Sequence, residues 1–150
     1  MIIAVDFDGT IVEHEYPEIG EERPFATEVL KMLMADRHKL VLWTMRDGKL
    51  LDDAVKWCAD RGVEFYAVNS DTSALFPEGK SEHLSCKLSA DIFIDDRNVG
   101  GLPDWPTIYK IISKRMTWKQ VMRADLMQEH EDYEPPYPKW MFWKSAKKKR

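Results

Sequence analysis

Two aspartates near the N-terminus, Asp6 and Asp8, directly follow the apolar run Ile2–Val5, and residues 6–10 read Asp-Phe-Asp-Gly-Thr. A continuous apolar, β-branched run is typical of a buried parallel strand, and ligands bind where such strands end. Two carboxylates at such a place repel each other unless a metal ion or a shared proton lies between them. The pattern predicts a reactive site at a strand end. A surface turn or a fragment of a calcium loop is the simpler alternative.

Polar side chains also follow the other predicted strands. Thr44 comes after the apolar run Leu40–Trp43, and the pair Asp95-Asp96 comes directly after Ile92–Ile94. Because the carboxyl ends of parallel strands lie at one edge of a sheet, we expect these side chains to meet the first pair, together with Lys87. Four acids at this edge predict a hard divalent cation with oxygen ligands, for which magnesium is the expected ion. With that ion and an ammonium group present, a phosphate dianion could enter the site.

The elements that position these side chains alternate between strand and helix patterns, which predicts an α/β fold. We expect a single Rossmann-like domain with a parallel sheet flanked by helices. Pro24 suits the first turn of one helix, and Asp47 can cap a second helix that Gly62 ends. The buried faces expected for these two helices are formed by Phe25, Ala26, Val29, Leu30, Leu33 and Met34, and by Leu50, Leu51, Ala54, Val55 and Cys58.

Further elements are expected along the rest of the chain. A third strand is predicted at about residues 63–68, followed by an irregular stretch from residue 69 to about residue 85. Nearer the C-terminus, a short helix is predicted after Pro106, and another near Thr117, which has capping-box spacing to Gln120. We expect the domain to span residues 1–130 and residues 131–150 to form a tail.

Composition limits the class of protein. A chain of 150 residues, 44% of them hydrophobic, is long enough for one domain with a core and too short for two comfortable ones. No apolar run approaches the roughly 20 residues that span a bilayer, so we expect no membrane partner. The two cysteines, Cys58 and Cys86, predict reduced thiols in a cytoplasmic protein.

The C-terminal tail is basic and aromatic. Residues 135–150 hold six basic residues and no acid, so the rest of the chain carries a net charge of −10, against −4 for the whole. An acidic body argues against general polyanion binding. Aromatic residues interleaved with lysines can bind a nucleic acid. Packing of the tail on the body or on a second copy, as in a homo-oligomer, is the favoured alternative.

Taken together, the ordered motifs resemble those of the haloacid dehalogenase superfamily of phosphohydrolases. The resemblance rests on residues 6–10, Thr44, Lys87 and Ile94-Asp95-Asp96, which occur in the family's order over about residues 1–112. Residues 87–97 also resemble small uncharacterised bacterial and phage members of that superfamily. The resemblance implies a magnesium-dependent phosphatase that acts on phosphomonoesters, and it leaves the substrate open.

The resemblance also implies a role for each matched side chain. Asp6 would be the nucleophile that forms an aspartyl-phosphate, and Asp8 would protonate the leaving alcohol and then activate water. Thr44 and backbone N–H groups at the start of the next helix would hold the phosphoryl oxygens, and Lys87 would neutralise charge. The implied magnesium ligands are Asp6, the backbone carbonyl of Asp8, and Asp95, with Asp96 binding through water or orienting the site.

Three residues have open alternatives. Lys80 could take the place of Lys87, although the spacing of Lys87 to Asp95 favours Lys87. Arg46 could contact the substrate or form a surface ion pair. His14 lies in a polar loop, residues 13–23, that would overhang the site; it could recognise the leaving group or be a solvated loop residue.

Members of the resembled superfamily that act on small metabolites usually carry a cap domain that excludes water, and the spacing of the motifs here leaves no room for one. Only 33 residues separate Thr10 from Thr44, and 42 separate Thr44 from Lys87. A capless site suits a phosphate on a large or extended substrate, such as a nucleic acid end or a phosphoprotein, unless another subunit supplies a lid.

Two other classes of protein are alternatives to a phosphatase. One is a receiver-type signalling domain, which the position of Lys87 before the last acid pair disfavours. The other is a phosphate-binding module without turnover.

Overall fold

The computed structural model describes residues 1–70, 88–117, 119–121 and 123. The chain divides into a unit that covers Met1–Tyr109 and a second unit that begins at Lys110. The irregular stretch predicted after residue 69 falls almost entirely outside the described residues. So do Lys80, Cys86, Lys87, the predicted boundary at residue 130 and the tail, and the expectations for them stay predictions.

A parallel sheet forms the centre of the first unit. Its four strands are β1 (Ile2–Val5), β2 (Lys39–Leu42), β3 (Ala67–Val68) and β4 (Ile92–Ile94), in the order β3-β2-β1-β4. The register pairs Val5 with Leu42 on one side and with Ile94 on the other. The carboxyl ends of β1, β2 and β4 therefore lie side by side. The sheet and its helices confirm the predicted α/β fold.

Burial explains why β1 and β2 are apolar along their length. Residues 3–5 and 40–42 are buried without a break, as expected for central strands that are covered on both faces. The third strand is shorter than the predicted residues 63–68. Tyr66 and Asn69 each donate one backbone hydrogen bond to β2 on either side of β3, and the residues before Tyr66 approach the sheet as irregular chain.

Within the described part of the chain, the helices with defined bounds are α1 (Ala26–Ala35), α2 (Gly48–Ala59) and α3 (Trp105–Ser113). The predicted start of α1 at Pro24 is wrong, because Phe25 has a φ of 67° and cannot belong to the helix. Phe25 is also 61% exposed, not buried as predicted. The side chain of Glu22 takes over the capping role, since its Oε1 accepts the backbone N–H of Thr27 at 3.0 Å.

The ends of the other helices follow the sequence with one exception. Asp47 precedes α2, but its side chain makes no capping hydrogen bond, so that prediction is wrong. Gly62 has a φ of 80° just after α2, in agreement with its predicted role. In the second unit, the backbone N–H of Thr117 donates to Oε1 of Gln120 at 2.7 Å, which confirms the capping box. Within the described ranges, no helix combines the length and the apolar character needed to cross a membrane.

Candidate active site

Three carboxylates meet at the carboxyl edge of the sheet. Asp6 follows β1, and Asp95 and Asp96 follow the neighbouring strand β4. One oxygen of each lies within 4.8 Å of the others. We call these three residues the acid cluster. Oxygens that share one divalent cation must lie this close to each other, so the predicted convergence of these strand ends is present.

Among the described residues, no salt bridge reaches the acid cluster. The pKa of Asp6 is raised to about 6, chiefly by burial. A hydrogen bond from the N–H of Phe7 lowers this pKa, and the charges of Asp95, Asp96 and Asp8 raise it. The Oδ1 atom of Asp96 is buried and has no hydrogen-bond partner among the described residues. Buried polar atoms are normally paired, and a cation is the partner that both observations fit.

The raised pKa of Asp6 predicts that the metal-free protein loses stability as the pH rises from about 4 to about 6. In the unfolded chain this carboxyl ionises near its ordinary pKa of 3.8, whereas the folded protein holds the proton until about 6. The folded state therefore binds more protons in this window, and the free energy of unfolding falls with pH. Because the side chain is partly exposed, we expect a loss of about 1–2 kcal/mol.

Chemical denaturation in a chelating buffer at several pH values measures this loss. Comparison with the Asp6→Asn variant cancels the contribution of all other titrating groups. The wild-type curve should fall relative to that of the variant between pH 4 and 6. Two curves that run parallel across this range would contradict the prediction.

The turn after Asp8 determines where Asp96 lies. Gly9 has a φ of 81°, and a Cβ atom on it would come within 2.5 Å of Oδ2 of Asp96. The hydroxyl of Thr10 accepts the backbone N–H of Asp96 at 3.0 Å. The carbonyl of Thr10 in turn accepts the indole N–H of Trp105 at 3.1 Å. The glycine and threonine of the first motif therefore serve to position an acid that lies 86 residues beyond Thr10 in the chain.

Thr10→Val should destabilise the protein by about 1–3 kcal/mol, because it leaves the N–H of Asp96 without its acceptor. Thr10 is fully buried, so water cannot easily replace the lost hydroxyl. Thr10→Ser keeps the acceptor and is the matched control. Urea denaturation of the two variants measures the difference, and equal midpoints would show that this hydrogen bond contributes nothing.

Asp8 faces a buried arginine. The Nε and Nη2 atoms of Arg46 donate to the two carboxylate oxygens of Asp8 at 2.8 and 2.7 Å. Arg46 also donates to the backbone carbonyls of Pro17 at 3.0 Å and Glu18 at 2.7 Å. Arg46 is only 1% exposed. Of the two expectations for Arg46, the ion pair is observed, but it is buried beneath the 13–23 loop and not on the surface.

Thr44 lies at the end of β2 with its hydroxyl partly committed. Its Oγ1 accepts the backbone N–H of Arg46 at 3.2 Å, and its own N–H donates to Oδ1 of Asn69 at 2.8 Å. A hydroxyl that accepts one hydrogen bond still has a proton to donate. The backbone N–H groups of Thr44 and Arg46 are therefore both bound to protein atoms.

A cavity of about 700 Å³ connects these groups. The predicted residues that line it are Asp6, Asp8, His14, Thr44 and Asp95, and the residues that sequence reasoning missed are Tyr16, Trp43, Met45, Asn69 and Arg97. His14 is exposed in the 13–23 loop, as predicted. Asn69 follows β3 directly, so the strand-end rule applied to the other strands could have found it. The side chain of Arg46 is not among the lining residues.

Comparison with known proteins gives one solved structure to report. No family model matches the chain, and no curated protein does. The structure of a conserved protein from Bacteroides thetaiotaomicron is 55% identical, with a TM-score of 0.72, and the match covers 81% of this chain and 96% of that chain. The chain therefore belongs to the same protein family as this conserved protein from Bacteroides thetaiotaomicron.

Proposed function

We propose that the protein is a magnesium-dependent phosphatase of the haloacid dehalogenase type, which hydrolyses phosphomonoesters through an aspartyl-phosphate. The observation that carries the proposal is the acid cluster, in which oxygens of Asp6, Asp95 and Asp96 lie within 4.8 Å of one another. Asp6 and Asp95 of this cluster line a cavity that is also lined by Asp8 and Thr44. A nucleophile, an acid–base group and a hydrogen-bond donor for a phosphoryl oxygen are thus available at one place.

Magnesium is the proposed cofactor. The acid cluster would hold it, with the backbone carbonyl of Asp8 as a further proposed ligand. Unlike the three carboxylates of the cluster, the side chain of Asp8 is committed to Arg46. When bound, the ion would neutralise the carboxylates and polarise the phosphoryl group.

The side chains would divide the reaction into two displacements. A carboxylate oxygen of Asp6 attacks phosphorus, the bond from phosphorus to the leaving oxygen breaks, and Asp8 gives that oxygen its proton. Asp8 then takes a proton from the water that attacks the aspartyl-phosphate, which releases phosphate and regenerates Asp6. The hydroxyl of Thr44 donates a hydrogen bond to a phosphoryl oxygen. Lys87 is retained from the sequence as the proposed ammonium group.

The lining of the cavity supports a leaving group that contains an aromatic ring. Tyr16 is 52% exposed and Met45 is 89% exposed, and both line the cavity together with Trp43. Aromatic and thioether side chains favour contact with planar rings. Nucleotides satisfy this requirement, and so does the end of a nucleic acid, which also fits the large or extended substrate expected from the sequence.

A panel of phosphorylated compounds tests the proposal. It should include 4-nitrophenyl phosphate, nucleoside monophosphates, phosphorylated oligonucleotide ends, sugar phosphates and phosphopeptides. We expect phosphate release that needs Mg²⁺, stops on chelation and returns when Mg²⁺ is restored. Binding of inorganic phosphate without release from any compound would overturn the proposal in favour of a binding module without turnover.

A further inference from the structure

We propose that Arg46 is a positioning residue that orients Asp8 toward the leaving group and couples this orientation to the 13–23 loop. The inference rests on the proposed function and adds a residue that lies outside the motifs. Its basis is the buried, two-point ion pair between Arg46 and Asp8. A guanidinium group matches a carboxylate in one plane, so such a pair restrains the rotation of the carboxylate as well as its place.

The guanidinium group of Arg46 is itself held from several sides. Its carbon atom lies 5.1 Å from the ring centre of Phe7 and 5.5 Å from that of Tyr16. The carbonyls of Pro17 and Glu18 accept two of its remaining N–H groups. With 1% exposure, the group cannot turn away without leaving a buried charge and two carbonyls unpaired. Arg46 therefore transmits the position of the 13–23 loop to Asp8.

The ion pair leaves Asp8 able to act on the substrate. A carboxylate offers about four lone-pair positions on its two oxygens, and Arg46 occupies one on each. Asp8 also borders the cavity, where the remaining positions can face a leaving oxygen or a water molecule. Proton transfer needs a heavy-atom distance of about 2.6–3.2 Å, and small misplacements of a reacting group cost much of the rate. A defect in positioning should therefore appear in steps that need the proton.

The 13–23 loop has a framework that can support this coupling. The backbone N–H of Glu13 donates to the carbonyl of Glu21 at 2.8 Å, and Val12 forms an antiparallel bridge with Glu22. At Gly20 a Cβ atom would clash with the backbone carbonyl oxygen of Glu13, so only glycine fits there. The two sides of the loop are thus joined near its base, and Arg46 binds the segment between them.

Two esters with the same ring but different leaving groups test the inference. Phenoxide is a poor leaving group that needs a proton, whereas 4-nitrophenoxide departs without one. Because general acid catalysis contributes about 100-fold or more, Arg46→Lys should reduce kcat/KM for phenyl phosphate at least tenfold more than for 4-nitrophenyl phosphate. A lysine has one ammonium group and cannot reproduce the two-point contact. Asp8→Asn provides the pattern expected when the acid itself is lost.

Arg37→Lys is the matched control. Arg37 is exposed just after α1 and is not among the residues that line the cavity. Its replacement should change the rates with the two esters by equal factors. Equal losses with Arg46→Lys would overturn the inference, because a general loss of structure does not distinguish leaving groups. If the wild type hydrolyses neither ester, the proposed function itself is overturned.

A second variant covers the case in which Arg46→Lys does not fold. Tyr16→Ala removes the ring beside the guanidinium group and leaves the ion pair in place. Because Tyr16 also lines the cavity, its removal changes KM through substrate contact as well, so the ratio of kcat values for the two esters is the readout. We expect a smaller loss of rate that again falls more on phenyl phosphate than on 4-nitrophenyl phosphate. An unchanged ratio of the two kcat values would contradict the coupling.

Discussion

Asp6→Asn is expected to lose magnesium-dependent phosphatase activity by about 10,000-fold or more, since an amide cannot replace the attacking carboxylate. The measurement is kcat for 4-nitrophenyl phosphate at saturating Mg²⁺. The side chain keeps its shape in this variant, so a loss of packing does not explain the result. The loss should be similar for good and poor leaving groups, because the nucleophile attacks in every case. This distinguishes Asp6 from Asp8.

The stability of the same variant provides an independent check. Because burial raises the pKa of Asp6 to about 6, the ionised carboxylate destabilises the metal-free fold at pH 7. Asp6→Asn should therefore be more stable than the wild type in chelator, by about 1–2 kcal/mol. Asp53→Asn, at an exposed position of α2, should change neither activity nor stability appreciably. Normal turnover by Asp6→Asn would exclude Asp6 as the nucleophile.

Gly9→Ala is expected to weaken magnesium binding by about 10- to 100-fold, the range seen when groups that orient metal ligands are disturbed. The new Cβ atom would come within 2.5 Å of Oδ2 and 2.8 Å of Cγ of Asp96, so this carboxylate must move away from the acid cluster. The left-handed backbone at Gly9 adds a cost of about 1–2 kcal/mol to folding. Titration with Mg²⁺ followed by calorimetry measures the affinity, and denaturation measures the stability.

Gly62→Ala separates the two effects. Gly62 has a φ of 80°, close to that of Gly9, but a Cβ atom there would meet only the flexible side chain of Lys31 at 3.5 Å. It should show a similar loss of stability with unchanged affinity for Mg²⁺. If Gly9→Ala bound Mg²⁺ as tightly as Gly62→Ala, Asp96 would have no part in holding the ion.

The predicted helix ends show where local sequence rules are sufficient. Gly62 and the Thr117–Gln120 capping box behave as expected, because each depends on one residue or on a short spacing. The predicted start of α1 at Pro24 is wrong because the side chain of Glu22 supplies the cap from outside the helix. The short β3 reflects pairing with β2, which the apolar pattern of residues 63–68 does not encode.

The composition of the cavity wall was harder to predict than the strand-end residues. Tyr16 and Met45 lie in irregular segments, where no helical or strand repeat predicts the direction in which a side chain points. Trp43 belongs to the apolar run predicted as the second strand, and Arg97 enters the sequence pattern only through the resemblance of residues 87–97. Each borders the cavity because of the path of the backbone between elements.

The order of elements and the convergence of Asp6, Asp95 and Asp96 were determined by the sequence itself, because parallel strands linked by helices must present their carboxyl ends at one edge. The partner of Asp8 was decided only by the tertiary structure. Arg46 is 38 residues away in the chain, and its ion pair depends on the 13–23 loop closing over it with two carbonyls. Strand ends follow from backbone periodicity, whereas a buried ion pair depends on distances that only the packed chain sets.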